Sequence, residues 1–531
     1  MLFSKVLEYT EQVFTSLGRP SSIALGTAST AVLVLLAWRL WAFTIKPLTR
    51  RDAPRELPYW LPYFGHAFEF IGNGQSLLTR ARLYFRNTRE PFALTLGGEK
   101  LYFLTAPEDV QAFFRNTSSL EFESVVYDLG ITFGVSKEAM DLSYVKPTSE
   151  ADDRVSHALG TRNSRLKCLV DLNKEFWKMQ LHPGDEYRNI QNAFLEEITE
   201  KLKYGQLPTS SVRSSSAAEL TVSLLTLCQR VLIESTLNTF FGKVLLRIEP
   251  SLVQEFLHFD EENWKLWYKW PKATKMNTAK DKMAKAIEHY LALGDETRED
   301  ASFIIKTFIK SQRALDTSDA DIAKVLCMLV FVMNTNTPKT CFWAIAHLLK
   351  DRAFHQQALD EIDSVFNSSG TVDLQALADS STLSSLVNEV LRLGSASSSM
   401  RVTTSDTIIG GKKLPAKSRV MVPTRELHLD PAIYGSTSNQ FQPARFMASK
   451  EDLTKNPSFR PFGGGISHCP GRFIAQQEIK MVVVLLLKHW EIEIEGNGQL
   501  PELETKVPTT GIMGPRDGGD VLLRMRPIVK T

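Results

Sequence analysis

The segment at 21–45, SSIALGTASTAVLVLLAWRLWAFTI, carries one charge, Arg39. A run this long and apolar crosses a bilayer as a helix, so it commits one end of the chain to a membrane rather than to a core. Lys46, Arg50, Arg51 and Arg55 follow it, whereas the arm 1–20 sets Lys5 and Arg19 beside Glu8 and Glu11. The positive flank places the arm in the lumen and everything after the span in the cytosol. Arg39 is expected to snorkel toward that face, with Trp38 and Trp41 among the headgroups. A cleaved signal peptide fits less well, because arginines rather than a small-residue cleavage site follow the run. Pro47, Pro54, Pro58 and Pro62 then come too close together for a helix or a central strand. Residues 46–62 are therefore expected to be a stiff linker.

Residues 63–531 show no internal repeat, low-complexity tract or second linker, and read as one large domain. With 62 Lys+Arg against 60 Asp+Glu and 43% hydrophobic residues, the chain can bury a large core and has no polyelectrolyte character, which argues against a nucleic-acid partner. Apolar residues recur at helical spacing in QSLLTRARLYFRN, AAELTVSLLTLCQRVLIESTLNTFF, DKMAKAIEHYLAL and DADIAKVLCMLVFVMNTNTPKTCFWAIAHLLK. Short hairpins are expected around Gly97-Gly98 and from Gly410-Gly411 to Pro415. The expected class is mainly α with small β-sheets.

The five cysteines, Cys168, Cys228, Cys327, Cys341 and Cys469, are scattered and form no Cys-x-x-Cys pair, which argues against a disulfide framework or a structural zinc site. Cys327 and Cys341 fall in an apolar helical run and read as small buried hydrophobes. Cys469 differs, because RPFGGGISHCPGRF surrounds it with Gly463, Gly464, Gly465, Pro470 and Gly471 ahead of another helical pattern. Glycines allow backbone to approach a flat cofactor, and a helix start near Gly471 offers free N–H groups that favour thiolate over thiol. A thiolate in such a loop is a strong axial ligand for haem iron.

Phe462-x-x-Gly465-x-x-x-Cys469-x-Gly471 resembles the haem-binding signature of the cytochromes P450. Two more patterns of that family lie upstream in the expected order. Glu389-x-x-Arg392 in NEVLRL resembles the Glu-x-x-Arg of its K helix, and HLDPAIYGSTSNQFQPARF resembles its His-x-Asp-Pro to Pro-x-Arg-Phe segment and supplies Arg445. The resemblance implies a P450 fold behind one transmembrane helix, haem b bound through Cys469, Phe462, Gly465 and Gly471, and a buried network of Glu389, Arg392 and Arg445 that holds the cysteine loop in register. It also implies electrons from NADPH through an NADPH-cytochrome P450 reductase, and a single-pass protein of the endoplasmic reticulum membrane.

Two departures from the family pattern are informative. Ser467 stands where many P450s have Arg or His, and Arg401 is expected to supply the missing charge to a haem propionate. In the long helix, Thr335, Asn336 and Thr337 occupy the place of the usual acid and threonine that relay protons to dioxygen. Asn at that place, with Phe342-Trp343 beyond it, resembles the branch of cholesterol 7α-hydroxylase, sterol 12α-hydroxylase and prostacyclin synthase, as do SASSSMR and PYFG. The resemblance draws the pocket wall from 122–133, the polar helix centre, 395–400 and 509–514. A bulky lipophilic substrate such as a sterol or terpenoid suits that lining. The leading expectation is a monooxygenase; a reductase-independent rearrangement of a peroxide and a non-catalytic haem sensor are the alternatives.

Overall fold

The computed structural model describes residues 19–528 apart from 217, 269, 271, 448–455 and 510. Most of the expected lumenal arm, 1–18, and Thr510 of the expected pocket wall lie outside the described residues. Helix α1, Arg19–Leu40, runs on through a π-helical turn at Trp41–Ile45 and a last turn at Lys46–Thr49. Within it, Gly26–Thr49 has a mean hydropathy of 1.6 and buries none of its apolar window. The Arg39 guanidinium turns onto the linker, donating to the Tyr59 carbonyl and lying 4.0 Å from the Trp60 ring centroid. An acceptor and an aromatic face are both within its reach there.

The far half of the proline-rich stretch is part of the globule. Arg55–Glu56 pairs in parallel with Phe92-Ala93, and Leu57 is buried with its N–H on the Ala93 carbonyl at 3.1 Å. This edge position is one where nearby prolines cost no ladder hydrogen bond.

The remaining helices that position the site are α2 (Pro107–Arg115), α3 (Glu123–Phe133), α4 (Leu224–Phe241), α5 (Leu252–Glu262), α6 (Asp319–Asn334), α7 (Thr337–Lys350), α8 (Ser381–Gly394), α9 (Ala444–Met447) and α10 (Arg472–His489). A six-stranded sheet takes in Phe92–Leu96, Glu99–Phe103, Ser398–Thr403 and Arg419–Pro423, so the hairpin around Gly97-Gly98 sits as expected. Thr407–Ile409 and Lys412–Leu414 form the second hairpin.

One expected helix is shorter than its pattern. In AAELTVSLLTLCQRVLIESTLNTFF the residues Leu220–Ser223 form a strand, paired with Leu522–Met525 and with Val212–Ser215. Ser223 then caps α4 by accepting the Thr226 N–H. A cap hydroxyl that satisfies an orphan donor marks the boundary, and β-branched Thr221 and Val222 suit the pleated side of it.

α4, α6, α7, α8 and α10 enclose the main core, which contains Cys228, Cys327 and Cys341. The apolar run Asp319–Lys350 is a core element, 61% of its window being buried. It is divided: α6 ends at Asn334 and α7 restarts at Thr337, with Pro338 in the new first turn. Proline lacks the N–H that would continue the ladder and is tolerated in a first turn.

Candidate active site

The Phe462 carbonyl accepts the Cys469 N–H at 3.0 Å and closes the cysteine loop. Gly463 and Gly465 have φ of 71° and 58°, left-handed values that other residues adopt at a cost. At Gly465 a Cβ would lie 2.4 Å from the Phe114 carbonyl oxygen and 2.9 Å from the Arg401 guanidinium. Glycine there lets the loop lie against α2. Gly471 works otherwise: its φ is −80°, and a Cβ would meet nothing nearer than Cys469 Sγ and Ile474 at 4.0 Å. Its contribution is the N–H at the start of α10, which bonds the cysteine sulfur. Burial holds the thiol above its ordinary value, while the Gly471 N–H and the Arg472 charge pull it down.

Arg401 leaves Ser398–Thr403 fully buried. It donates to the carbonyls of Phe113 at 2.8 Å and Asn116 at 3.0 Å, at the end of α2, and stands 3.4 Å from the Gly464 carbonyl and from Ser467 Oγ. Its Nε has no hydrogen-bond partner, and among the described residues no carboxylate pairs with it. Ser467 itself turns back to the Gly464 carbonyl at 3.1 Å.

Glu389 and Arg392, three residues apart on α8, are wholly buried and joined by two bonds of 2.7 Å. Arg392 also donates to the carbonyls of His428, Ser438 and Gln440 at 2.7, 2.5 and 3.1 Å. Arg445 on α9 lies 3.4 Å from Glu389 Oε1 and donates to the Tyr434 and Thr437 carbonyls, both at 2.6 Å. Every charge in this trio is compensated, which is the condition for burying it. His428 connects the trio to the cysteine loop: its Nδ1 faces the Arg392 carbonyl at 3.1 Å and its Nε2 accepts the Arg460 N–H at 3.0 Å. Burial pushes its pKa down to about 3, so the ring stays neutral and can accept as well as donate.

At the α6–α7 break the three consecutive side chains face different elements. The Thr335 hydroxyl donates to Asp260 on α5. Asn336 Oδ1 accepts the Ile512 N–H at 2.9 Å, and a Cβ on Gly511 would lie 1.8 Å from that oxygen. The Thr337 hydroxyl bonds Glu478 on α10. Glu478 is only 4% exposed, its Oε2 has no partner, and burial pushes its pKa up to about 8.

The four expected wall segments converge here. Ser395 bridges Ile512, the Gly511 carbonyl accepts the Ala396 N–H at 2.9 Å, and Trp343 Nε1 donates to the Met513 carbonyl at 2.8 Å. Phe133 of α3 lies 5.7 Å from Phe331 of α6 and 5.8 Å from Phe259 of α5, centroid to centroid. Sequence reasoning did not find Asp260, His428 or Glu478 as site residues. For Glu478 a signal existed, an acid inside the apolar repeat of RFIAQQEIKMVVVLLLKH; for Asp260 there was none, because its partner lies 75 residues away.

A haem needs an axial ligand and a partner for its carboxylates. The residues present fit both needs: Cys469 at the start of α10 offers a thiol to serve as the ligand, and Arg401, a buried cation with an unused N–H beside the cysteine loop, offers a partner for a carboxylate. Comparison with known proteins points the same way. Residues 187–522 match the family model described as Cytochrome P450. The chain is 24% identical to "Cytochrome P450 monooxygenase poxD" of Penicillium oxalicum, over 93% of this chain and 98% of that one. It is 24% identical to "Cytochrome P450 7A1" of Oryctolagus cuniculus, over 86% and 90%, and 25% identical to the 7-alpha-hydroxycholest-4-en-3-one 12-alpha-hydroxylase of Homo sapiens, over 93% and 97%. With a thiol-bearing loop at the start of α10, a buried Glu389–Arg392–Arg445 trio behind it and a family match across most of the chain, this protein belongs to the cytochrome P450 family.

Proposed function

We propose that the protein is a haem-thiolate monooxygenase that inserts one oxygen atom of O2 into a bulky lipophilic molecule, a sterol or terpenoid, with electrons from NADPH through a membrane-bound reductase. The observation that carries this reading is the pairing of Cys469, under the Gly471 N–H, with the carboxylate-free Arg401 on the far side of the same loop. Bound haem would supply the redox chemistry that activates dioxygen. The chain holds that group and shapes its surroundings. Cys469 would ligate its iron and Arg401 would receive a propionate, while the glycines at 463 and 465 let the loop lie close against α2. Glu389, Arg392, Arg445 and His428 keep the loop in register by tying α8, the 428–445 stretch and the Arg460 N–H together.

Asn336, Thr335 and Thr337 are the polar groups available to order water and move protons at the break. Asn336 Oδ1 accepts the Ile512 N–H, which leaves a second lone pair on that oxygen and the two NH2 donors for a ligand or water. The relatives named as a 7A1 enzyme and a sterol 12-alpha-hydroxylase support a sterol-like substrate. The apolar α1 supports anchorage in the endoplasmic reticulum membrane, from which such a substrate could enter the site.

The test is full-length protein reconstituted with NADPH-cytochrome P450 reductase in vesicles and offered sterol and terpenoid panels. Substrate-dependent NADPH and oxygen consumption with an oxygenated product is the expected result. Conversion of a peroxide substrate with neither NADPH nor reductase, and no NADPH-driven turnover, would replace this reading with rearrangement of the peroxide.

A further inference from the structure

A cleft of about 370 Å³ lies between the helix Ala67–Tyr84, the short helix Thr424–His428 and the stretch 429–439. None of its lining residues belongs to the cysteine loop, the helix break or the expected pocket wall. Three segments far apart in the sequence supply its polar groups: Arg82 comes from the first, Arg425 and Glu426 from the second, Ser436 and Asn439 from the third.

The carboxylate in this lining is already used. Glu426, whose side chain is 3% exposed, accepts the Thr79 hydroxyl and the Arg82 Nε, the latter at 2.5 Å. The guanidinium groups still have donors to give. Arg82 spends Nη1 on Asn87, and its Nη2 has no partner among the described residues. Arg425 donates from Nη1 to the Leu393 carbonyl at 2.7 Å, and its Nε and Nη2 have no partner among the described residues. It makes no ion pair among them either, and Glu426 acts on it only from beyond contact distance. Burial without a paired anion is costly for a cation, and it pulls the Arg425 pKa down to about 10. The cleft is left with a surplus of positive charge.

A carboxylate would fill one guanidinium fork. Here two forks, the Ser436 hydroxyl and the Asn439 amide line one space from three segments, which suits a tetrahedral oxyanion with an acceptor at every corner. The space has room for at least about ten waters, more than a bare phosphate needs, and Leu429 and Pro431 give the remainder an apolar side. We propose that this cleft binds the phosphate group of a small phosphate ester, held between Arg82 and Arg425. The site backs the network behind the cysteine loop: Arg425 is tied to Leu393 of α8, and the Ser438 carbonyl accepts from Arg392. A bound phosphate steadies the stretch 424–439, from which His428 reaches the Arg460 N–H, and stabilises the haem-loaded fold by mass action.

The test titrates haem-loaded full-length protein in a neutral detergent with inorganic phosphate, glycerol phosphate and dihexanoyl phosphatidic acid. Binding is followed by calorimetry and by thermal unfolding at the Soret band, with sodium chloride at matched ionic strength as the control. Saturable binding above that control, and a midpoint that climbs with ligand, are the expected results. Arg425→Gln keeps a donor for the Leu393 carbonyl and loses the charge. Asn439→Asp places a negative charge at an exposed position whose side chain makes no bond among the described residues. Both should weaken binding at least about tenfold, the loss of one charge-assisted pair. If Arg425→Gln fails to load haem, Asn439→Asp decides alone. Tighter binding of glycerol phosphate identifies a soluble ester as the source and tighter binding of the phosphatidic acid a lipid headgroup; either supports the site. No saturable phosphate binding by wild type, or equal binding by wild type and Asn439→Asp, overturns the proposal and leaves the monooxygenase reading standing, since that reading rests on other residues.

Discussion

Replacing Glu478 by Gln tests whether the carboxyl behind the helix break is as dry as its surroundings imply. It is 4% exposed, one oxygen has no partner, and among the described residues the group that bonds it is the neutral Thr337 hydroxyl. Burial raises its pKa from the ordinary 4.5 to about 8. The folded state therefore holds this proton more tightly than the unfolded chain does. The sign follows: below about pH 4.5 the group costs nothing, stability falls as pH rises through the window from about 4.5 to 8, and the loss levels off above about 8. At about 1.4 kcal/mol per pH unit, ionisation burdens the fold by about 1 kcal/mol at pH 5, about 3 at pH 7 and about 5 at pH 9. Gln can still accept from Thr337 and cannot titrate. Urea denaturation of both proteins at these three pH values, followed by Soret absorbance and tryptophan fluorescence, gives a difference from which all other titrating groups cancel. Glu478→Gln is expected to gain on wild type by about 2–3 kcal/mol between pH 5 and 7. A difference that stays flat with pH would show that water or a cation reaches the carboxyl, and the reasoning about this corner of the site would fail.

Cys469→Ser is expected to abolish the red-shifted carbon monoxide band of thiolate-ligated haem; a mutant with the wild-type spectrum would place the ligand elsewhere. Glu389→Ala strands the Arg392 guanidinium in a fully buried site and should cost about 3–5 kcal/mol, seen as loss of haem-loaded protein. Arg445→Ala should cost less, because its side chain is 17% exposed and its contact with Glu389 is longer; equal haem yield from wild type and Glu389→Ala would mean the network is dispensable. Deleting 1–45 is expected to release firm membrane attachment and leave the haem spectrum intact, whereas retention of the truncated protein after carbonate washing would identify a second anchor. Asn336→Ala removes the acceptor for the Ile512 N–H, so it should lower both coupling and affinity for lipophilic ligands. Unchanged ligand titrations would show that the 511–514 loop keeps its place without that bond.

Much of this protein was legible locally. The cysteine loop could be read because its glycines report backbone requirements at their own positions, two of which are left-handed in the fold. Three-residue spacing puts Glu389 and Arg392 on one helix face, but it was the resemblance to the family's Glu-x-x-Arg pattern that implied a buried pair, and the apolar run at 21–45 stands out by composition alone. What the chain could not declare locally is which distant group each polar side chain meets. Leu220–Ser223 continues the helical apolar pattern of α4, and only pairing with Leu522–Met525 makes it a strand. The break at 335–337 reads as polar residues ahead of a proline; its chemistry depends on Asp260, Ile512 and Glu478, which arrive from three other elements. His428 could be quoted as part of a motif, yet its neutral state and its link from the Arg392 carbonyl to the Arg460 N–H arise only when burial removes water from both ring nitrogens. Backbone preference and periodicity act over a few residues and are therefore written in the sequence, while pairing, desolvation and the protonation that follows from them are properties of the packed interior.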